Sequence, residues 1–367
     1  MNFYWVTSNS PMIWPSATRL VKNLKSRYSD QCQLVDVNIS KYLDQSHATF
    51  VLGQYNYTQN ELLSFFKQLV SGSNVILHLY GDVHGKMKIF KYVQRKDINI
   101  KIITGSKSFY NVLTKIVLDI KNIYYLPFYC DLDFKKNKKS HNKRLLYAGR
   151  ISSHKNVDVL IDLFSRFSQD NPGWKLDIAG GIDNLRWPNN PSGFYLNYAG
   201  EMLDYNLEKA QSANVDITYH GELNESDLNF LLRSVNTFIS LSTSESEDYG
   251  LGLLEALALD KSLVVTRWAG YKEFENYSNV SLLDVDLVDD TLNIDFTQFS
   301  NAILESLNRV ESNFLKIQKS RLLASLPLNA CQWNGLKDSF INEIDLPSIN
   351  KDFFNHGSKY LSPLWEK

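Results

Sequence analysis

The chain has 367 residues, of which 44% are hydrophobic and 22% charged, and its formal net charge is −1. These values exclude a disordered or fibrous protein, and the length fits about two domains of roughly 150 residues each. No apolar stretch reaches the ~18 residues of a membrane span, and the N-terminus lacks the basic segment of a signal peptide. Cys32, Cys130 and Cys331 lack zinc-site spacing, so we expect a cytoplasmic protein with buried thiols.

Positive charge is concentrated in the first part of the chain. Residues 1–140 carry 19 Lys and Arg against 9 Asp and Glu, with clusters in residues 16–30 and 86–101. Such a basic half indicates an anionic partner. One interpretation is peripheral contact with an anionic membrane surface through basic amphipathic helices. The alternative is that these helices cover a sheet and keep their cations in water. No nucleic-acid motif accompanies the charge, so we do not expect nucleic acid as a partner.

The first half alternates short apolar runs with amphipathic segments. This alternation predicts strands joined by crossover helices, and therefore a doubly wound parallel sheet. The predicted strands are NFYWVT, QLVDV, ATFVLGQ, NVILHLY, IKIITG and NIYYLPF.

A lysine-rich polar run, residues 133–144, then predicts an interdomain linker. The same alternation restarts after it, with a helix start at Asn224 or Ser226. We therefore expect an α/β protein of GT-B architecture, with two Rossmann-like domains facing across a cleft. The predicted boundaries are residues 1–135 for the N-terminal acceptor domain, 136–340 for the C-terminal donor domain, and 341–367 for a tail returning to the first domain. The predicted strands of the second domain are LLYAGR, KLDIAGG, VDITYHG, TFISLS and SLVVTRW, with a long polar insertion after the second of them.

The strongest functional pattern surrounds two glycines, Gly250 and Gly252. A helical pattern begins near Leu251, and backbone N–H groups at such a helix mouth approach a diphosphate closely while the helix dipole favours its charge. Glu255, about a turn into the helix, is placed to accept hydrogen bonds from ribose hydroxyls, and Glu247 lies before the turn, nearer the sugar. An ordinary acidic helix cap explains one glutamate but not the glycine pair.

A second pattern, AGRISSHKN, follows the strand that opens the second domain. Arg150 and Lys155 in this loop supply two cations, which offset the charge of a departing nucleoside diphosphate without a metal. In isolation such cations are ordinary surface charges. The glutamate pattern at Glu247 and Glu255 supplies the second half of a site.

Together these two patterns resemble the large family of retaining GT-B glycosyltransferases marked by an E-x7-E motif, the family 4-like or "group 1" enzymes. The likeness covers roughly residues 120–340. It includes the segments LPFYCDLDF, YHGEL and NACQWNGLKDSF.

The resemblance implies a role for each matching residue. Arg150 and Lys155 would bind the donor diphosphate, Glu255 the ribose and Glu247 the transferred sugar. It also implies a nucleotide-diphosphate sugar as donor, retention of anomeric configuration, and no metal or other cofactor.

Two departures from the family pattern lie in the first domain. The first strand is followed by TSNSPMIWPS rather than a glycine-rich loop, so no acceptor-side position is assigned there. Tyr80 stands about where the family carries a histidine. His78 is expected in the core, whereas Asp82 and His84, beside glycines past the strand end, are the candidate catalytic residues on this side.

The sequence therefore predicts a hexosyltransferase-type enzyme that acts on a glycan or lipid-linked acceptor in bacterial surface polysaccharide assembly. The alternatives left open are a catalytically inactive GT-B module, which the missing histidine allows, and a sugar-nucleotide epimerase. Asp131 and Asp133 match a DxD metal pattern of another glycosyltransferase fold, but their place at the domain junction argues against metal binding.

Overall fold

The structure of the protein is a computed structural model. Its described residues form two compact units, one within residues 3–125 and the other within 142–308. The boundary expected near residue 135 and the tail expected after residue 340 lie outside the described residues, as do Cys130 and Cys331. The residues that the structure describes are 3–9, 15–29, 32–41, 48–53, 57–80, 97–116, 123–125, 142–182, 198–244, 247–248, 250–288 and 291–308.

The first unit contains a six-stranded parallel sheet with the strand order β2-β1-β3-β4-β5-β6. All six strands predicted from the sequence are confirmed. They are β1 (Phe3–Thr7), β2 (Leu34–Asn38), β3 (Thr49–Leu52), β4 (Asn74–Leu79), β5 (Asn99–Thr104) and β6 (Ile123–Tyr125), with helices α1 (Pro15–Ser29), α2 (Gln59–Gln68) and α3 (Lys107–Ile116) between them.

Helix α1 directs its apolar residues inward. Leu20, Val21 and Leu24 belong to the buried core, whereas Lys22 is exposed. This burial favours the sheet-covering interpretation of the helix, because its apolar side chains are not available for insertion into a bilayer. Within the described part of the chain, no helix combines the length and apolarity that crossing a membrane requires.

Helix α2 begins at a capping box. The Thr58 hydroxyl accepts from the Glu61 N–H at 3.2 Å, and the Glu61 carboxylate accepts from the Thr58 N–H at 2.7 Å. The same carboxylate accepts from the Asn9 N–H at 2.9 Å and the Ser8 hydroxyl at 3.1 Å. Glu61 thus ties the loop after β1 to the start of α2, where the family pattern has a glycine-rich loop.

The core of the first unit contains a buried polar chain. His78 is buried as expected, and its Nε2 lies 2.8 Å from the Tyr28 hydroxyl while Nδ1 lies 2.7 Å from the Tyr80 hydroxyl. Both ring nitrogens are therefore satisfied inside the unit, which fits a structural role. Cys32 differs from expectation: its thiol is free and partly exposed rather than buried.

The second unit contains another six-stranded parallel sheet, in the order β12-β11-β10-β7-β8-β9. The five strands predicted here are confirmed. The strands are β7 (Arg144–Ala148), β8 (Lys175–Ala179), β9 (Ile217–Tyr219), β10 (Thr237–Ser240), β11 (Ser262–Thr266) and β12 (Val280–Leu283), followed by the hairpin β13 (Asp286–Val288) and β14 (Thr291–Asn293). The helices are α4 (Val157–Asp170), α5 (Tyr198–Ser212), α6 (Glu225–Ser234), α7 (Leu251–Ala258) and α8 (Phe296–Ser306).

Strands β7 and β10 are neighbours, although about ninety residues separate them along the chain. From β7 the chain continues to β8 and β9 on one side, and from β10 to β11 and β12 on the other. The loops after β7 and β10 therefore diverge, and ligands of such sheets bind where the strand order reverses in this way.

Helix α5 lies within the long polar insertion expected after β8, where the sequence predicted no helix. Its apolar side is narrow, with Leu203 and Ala210 buried on one face and Leu207 packed against the core. Most other positions are polar, so the sequence showed little helical periodicity. Helix α6 begins at Asn224, whose side chain accepts from the Asp227 N–H at 2.9 Å, which confirms the first of the two predicted starts.

A buried ion-pair network joins β7, β8 and β9. Asp177 on β8 is fully buried, and Arg144 donates to both of its carboxylate oxygens, from Nη2 at 3.0 Å and from Nε. His220, just after β9, places Nε2 2.7 Å from Asp177 Oδ1. Burial alone would raise the pKa of Asp177, but the hydrogen bonds from Arg144 and His220 and the Arg144 charge outweigh it and lower the pKa.

Candidate functional site

The candidate site begins with the loop after β10, which carries Glu247. The Glu247 N–H donates to the Ser244 carbonyl at 3.1 Å, and its carbonyl accepts from the Gly270 N–H at 3.1 Å. Trp268 Nε1 also donates to the Ser244 carbonyl, at 3.0 Å. The Glu247 backbone is therefore held through both its N–H and its carbonyl, which fixes the position of its Cα.

The Glu247 carboxylate is buried and paired. Its Oε2 accepts a hydrogen bond from Lys155 Nζ in an ion pair, and another from the Ser242 hydroxyl at 2.8 Å. Burial alone would raise the pKa of Glu247, but the Lys155 charge and the bonds from Lys155 and Ser242 outweigh it, so the pKa lies below its ordinary value. The group is therefore an anion at neutral pH.

Lys155 reaches Glu247 because two loops are tied together. Lys155 ends a short 3₁₀ turn after β7, and Asn156 follows it in the left-handed conformation at φ 52°. Asn156 Nδ2 donates to the Leu241 carbonyl at 2.7 Å and to the Thr243 hydroxyl at 3.0 Å. Asparagine tolerates this backbone conformation better than most residues. Asn156 therefore sets both the turn that presents Lys155 and its distance from the loop after β10.

Arg150 lies in the turn that directly follows β7. The Tyr147 hydroxyl donates to the Arg150 carbonyl at 2.6 Å, and Tyr147 itself is buried in β7. Burial, with the nearby Glu247 charge, holds the pKa of Tyr147 far above its ordinary value, so the hydroxyl stays a donor. The Arg150 backbone is thus held by a buried residue of β7, and the Arg150 side chain is partly exposed.

The glycine pair adjoins the start of α7. Gly250 precedes the helix at φ 67°, and a Cβ there would lie 2.6 Å from the Tyr271 ring. A Cβ on Gly252 would lie 3.2 Å from Phe238 and 3.4 Å from the Ala148 carbonyl. Gly252 lets the helix start approach β7 and β10 closely, and Gly250 lets the turn before the helix approach Tyr271, which follows β11. The first N–H groups of the helix have no partner one turn earlier, and the helix dipole is positive there.

Glu255 lies on α7 and is 7% exposed. Leu251, the first residue of the helix, lies one turn before it, as the sequence predicted. The structure therefore brings Lys155 and Glu247 into contact and places Arg150, Gly250 and Glu255 on elements adjoining the same reversal of strand order.

The acceptor-side candidates and the DxD pair lie elsewhere in the chain. Asp82 and His84 fall outside the described residues, and so do Asp131 and Asp133. Among the described residues, no group of three or more His, Cys, Asp and Glu side chains could hold a metal ion.

Several residues in this geometry were not singled out from the sequence. Ser242, Asn156 and Tyr147 each hold a candidate residue or its backbone, and Tyr271 bonds the Glu247 side chain and lies beside Gly250. Asn156 adjoins Lys155, so its place in the motif was a usable signal. The buried hydroxyl groups carry no sequence signal, because a serine or tyrosine at a strand end is common in any α/β core.

Residues 131–282 match the family described as "Glycosyl transferases group 1". The match spans less than half of the chain and contains the loops after β7 and β10 and all of α7. A curated relative, mannosylfructose-phosphate synthase of Agrobacterium fabrum, is 26% identical over 140 residues, which are 38% of this chain and 29% of that protein. The chain therefore spans less than a third of this relative.

Solved structures resemble the chain beyond residues 131–282. Anabaena Alr3699/HepE in complex with UDP-glucose has a TM-score of 0.60 at 12% identity, covering 92% of this chain and 100% of that one. The lipopolysaccharide outer core galactosyltransferase WaaB has a TM-score of 0.53 at 13% identity, covering 92% and 99%. S. aureus TarM has a TM-score of 0.52 at 13% identity, covering 80% of this chain and 54% of that one. These likenesses, with two six-stranded parallel sheets, confirm the GT-B fold class.

Proposed function

We propose that the chain is a retaining glycosyltransferase that moves a sugar from a nucleotide-diphosphate sugar to a glycan or lipid-linked acceptor. The observation that carries the proposal is the buried Lys155–Glu247 pair beside the Gly250 turn and the start of α7. This arrangement brings together an anionic hydrogen-bond acceptor, a cation and the positive end of a helix. A sugar diphosphate offers the complementary hydroxyl groups and negative charge.

In the proposed reaction the bond between sugar C1 and the diphosphate oxygen breaks, and its electron pair leaves on the nucleoside diphosphate. An acceptor hydroxyl oxygen forms the new bond to C1 on the same face, and the hydroxyl proton passes to the leaving phosphate oxygen. Arg150, Lys155 and the N–H groups at Gly250, Leu251 and Gly252 stabilise the charge that develops on the diphosphate. These groups act without a metal ion.

The two glutamates have different tasks in this proposal. Glu255, near the start of α7, accepts hydrogen bonds from the ribose hydroxyls of the donor. Glu247 accepts hydrogen bonds from the transferred sugar, and its lowered pKa keeps it an acceptor over the neutral range. We propose that Asp82 and His84 serve the acceptor side, where one of them orients the attacking hydroxyl.

The biological setting is part of the proposal. HepE was solved with UDP-glucose, WaaB is an outer core lipopolysaccharide galactosyltransferase, and TarM was solved with α-GlcNAc-glycerol and UDP. We therefore propose a UDP-hexose donor and assembly of a bacterial surface glycan at the cytoplasmic side of the membrane. The basic charge of residues 1–140 suits an anionic acceptor or the surface that carries it.

The test is a thermal-shift screen of UDP-, GDP-, ADP- and dTDP-sugars, followed by assays of donor hydrolysis and transfer. Glu255→Gln and Arg150→Ala should weaken donor binding or turnover about 10-fold or more, the scale of one lost hydrogen bond to a charged group. Glu208→Gln, an exposed change on α5, is the matched control and should behave as wild type. Wild-type kinetics in both site variants would refute the donor-site assignment. Interconversion of free sugar nucleotides without transfer would favour the epimerase alternative, and binding without turnover the inactive module.

A further inference from the structure

Lys155 has two competing partners if the proposed function holds. In the structure its ammonium group pairs with Glu247, whereas the donor diphosphate would draw the same cation toward a dianion. A group that shares its charge between two anions binds each less firmly. Glu247 therefore needs a second partner if it is to keep its place while the donor is bound.

Ser242 supplies such a partner, and the Tyr271 hydroxyl bonds the same carboxylate. Ser242 lies just beyond β10 and is fully buried, and its hydroxyl is 2.8 Å from Glu247 Oε2, the same oxygen that Lys155 contacts. The His154 carbonyl is also within reach, but at 3.4 Å. Because a charged acceptor at the shorter distance gives the stronger bond, the Ser242 proton belongs to Glu247.

The orientation of the Ser242 hydroxyl is set from two sides. The Ser244 N–H donates to the Ser242 Oγ at 3.3 Å, so the oxygen acts as an acceptor there and keeps its own proton for Glu247. The Ser242 carbonyl accepts from the Thr266 hydroxyl at 2.6 Å, which anchors the residue to the end of β11. None of these contacts involves the groups proposed to touch the donor diphosphate, so donor binding leaves them in place.

We propose that Ser242 is a positioning residue, which holds the Glu247 carboxylate in its orientation toward the transferred sugar while Lys155 engages the donor diphosphate. This inference rests on the proposed function. It assigns to Ser242 an effect on turnover that is exerted through Glu247 and not through the fold.

The kinetic test is Ser242→Ala, with Ser242→Thr to restore a side-chain hydroxyl that can donate a hydrogen bond to Glu247. We expect Ser242→Ala to lower kcat about 10-fold or more while donor KM changes less than about 3-fold. The acid limb of the kcat profile should move to higher pH, because losing this bond raises the pKa of Glu247, while Lys155, His154 and Tyr271 still face the carboxylate. In a Glu247→Gln background, Ser242→Ala should cost almost nothing further. An equal loss in both backgrounds would overturn the proposal.

A second measurement needs no activity and separates this inference from the proposed function. Glu247 has a lowered folded pKa, so it stabilises the fold above the unfolded value of about 4.3 and loses this contribution as pH falls through the folded pKa. The Tm difference between wild type and Ser242→Ala should therefore be largest near pH 7 and shrink below about pH 4.3.

Ser306→Ala is the matched control, because its buried hydroxyl pairs with Thr237 at 2.7 Å near the opposite end of β10. Its Tm difference from wild type should not vary with pH. If Ser242→Ala behaves as this control does, the Ser242–Glu247 bond has no energetic role and the inference fails. If the pH dependence appears but no sugar nucleotide is turned over by wild type, the proposed function fails and the assignment of Ser242 to turnover fails with it.

Discussion

Replacing Asp177 by Asn should destabilise the second unit strongly, because Asp177 is fully buried and serves two partners at once. A carboxylate only accepts hydrogen bonds, so both Arg144 and His220 donate to it. Asn keeps the size of the side chain but replaces one acceptor oxygen by a donor NH₂ group. Because Arg144 donates to both oxygens, that group must face an N–H of Arg144 in either orientation, which removes at least one bond and leaves a repulsive contact.

The size of the effect follows from these contacts. Hydrogen bonds to charged groups contribute about 1.5–3 kcal/mol each, and breaking a buried ion pair costs about 3–5 kcal/mol. The side chains of Arg144 and His220 are 28% and 27% exposed, so water replaces part of the loss. We expect a loss of about 3 kcal/mol. At about 2–4 °C per kcal/mol for a domain of this size, Tm should fall by about 6–12 °C.

The measurement is thermal unfolding by circular dichroism at pH 7, with Asp216→Asn as the control. Asp216 lies just before β9 and is 64% exposed, and its contact with Lys175 is 3.8 Å long. An exposed pair of this kind contributes about 0–1 kcal/mol. Equal Tm losses in the two variants would refute the reasoning. Because the pKa of Asp177 is lowered in the fold, its contribution is lost at acid pH, and the gap between wild type and Asp177→Asn should narrow below about pH 4.

Three further outcomes are expected. Transfer activity should survive excess EDTA. If EDTA abolished the activity and Mn²⁺ or Mg²⁺ restored it, metal binding by Asp131 and Asp133 would be favoured. Lys261 is buried with its pKa lowered to about 8, and it donates to the Arg233 and Val235 carbonyls. Between about pH 8 and 10.4 the unfolded chain therefore binds more protons than the folded one, so the free energy of unfolding of the wild type should rise with pH relative to that of Lys261→Met. Parallel curves of unfolding free energy against pH would contradict this. Because the apolar face of α1 is buried, contact with a membrane would depend on its cations alone. Co-sedimentation with phosphatidylglycerol vesicles should therefore occur at low salt and be reversed by raised salt or by changing Lys22 and Lys25 to Glu. Wild type left in the supernatant at low salt would indicate a soluble acidic acceptor.

Strand periodicity predicted most of the architecture from the sequence alone. Apolar runs such as NVILHLY and SLVVTRW are buried on both faces in a parallel sheet, so they stand out against their polar connections. Helix α5 was missed because its apolar face is narrow and its packing against α4 depends on tertiary context.

The candidate site was predictable by residue type but not by partnership. Sequence reasoning selected Lys155 and Glu247 for separate parts of the donor, and nothing in the spacing indicated that they pair in the structure. Their contact depends on β7 lying beside β10 and on Asn156 holding two loops together. The supporting hydroxyl of Ser242 depends in addition on side-chain orientation, which periodicity does not encode.

The pairing of β7 with β10 also has a consequence for biosynthesis. Lys155 and Glu247 are 92 residues apart, and Asn156 and Leu241 are 85 apart, so each contact closes a long loop of chain. At translation rates of about 5–20 residues per second, roughly 5–20 s pass between synthesis of the two partners. During that interval β7 can pair with β8, but the edge that will receive β10 has no strand beside it. The nascent chain therefore carries a central strand with one open edge until the polypeptide reaches Ser240, and the glycine turn and its helix are made later still.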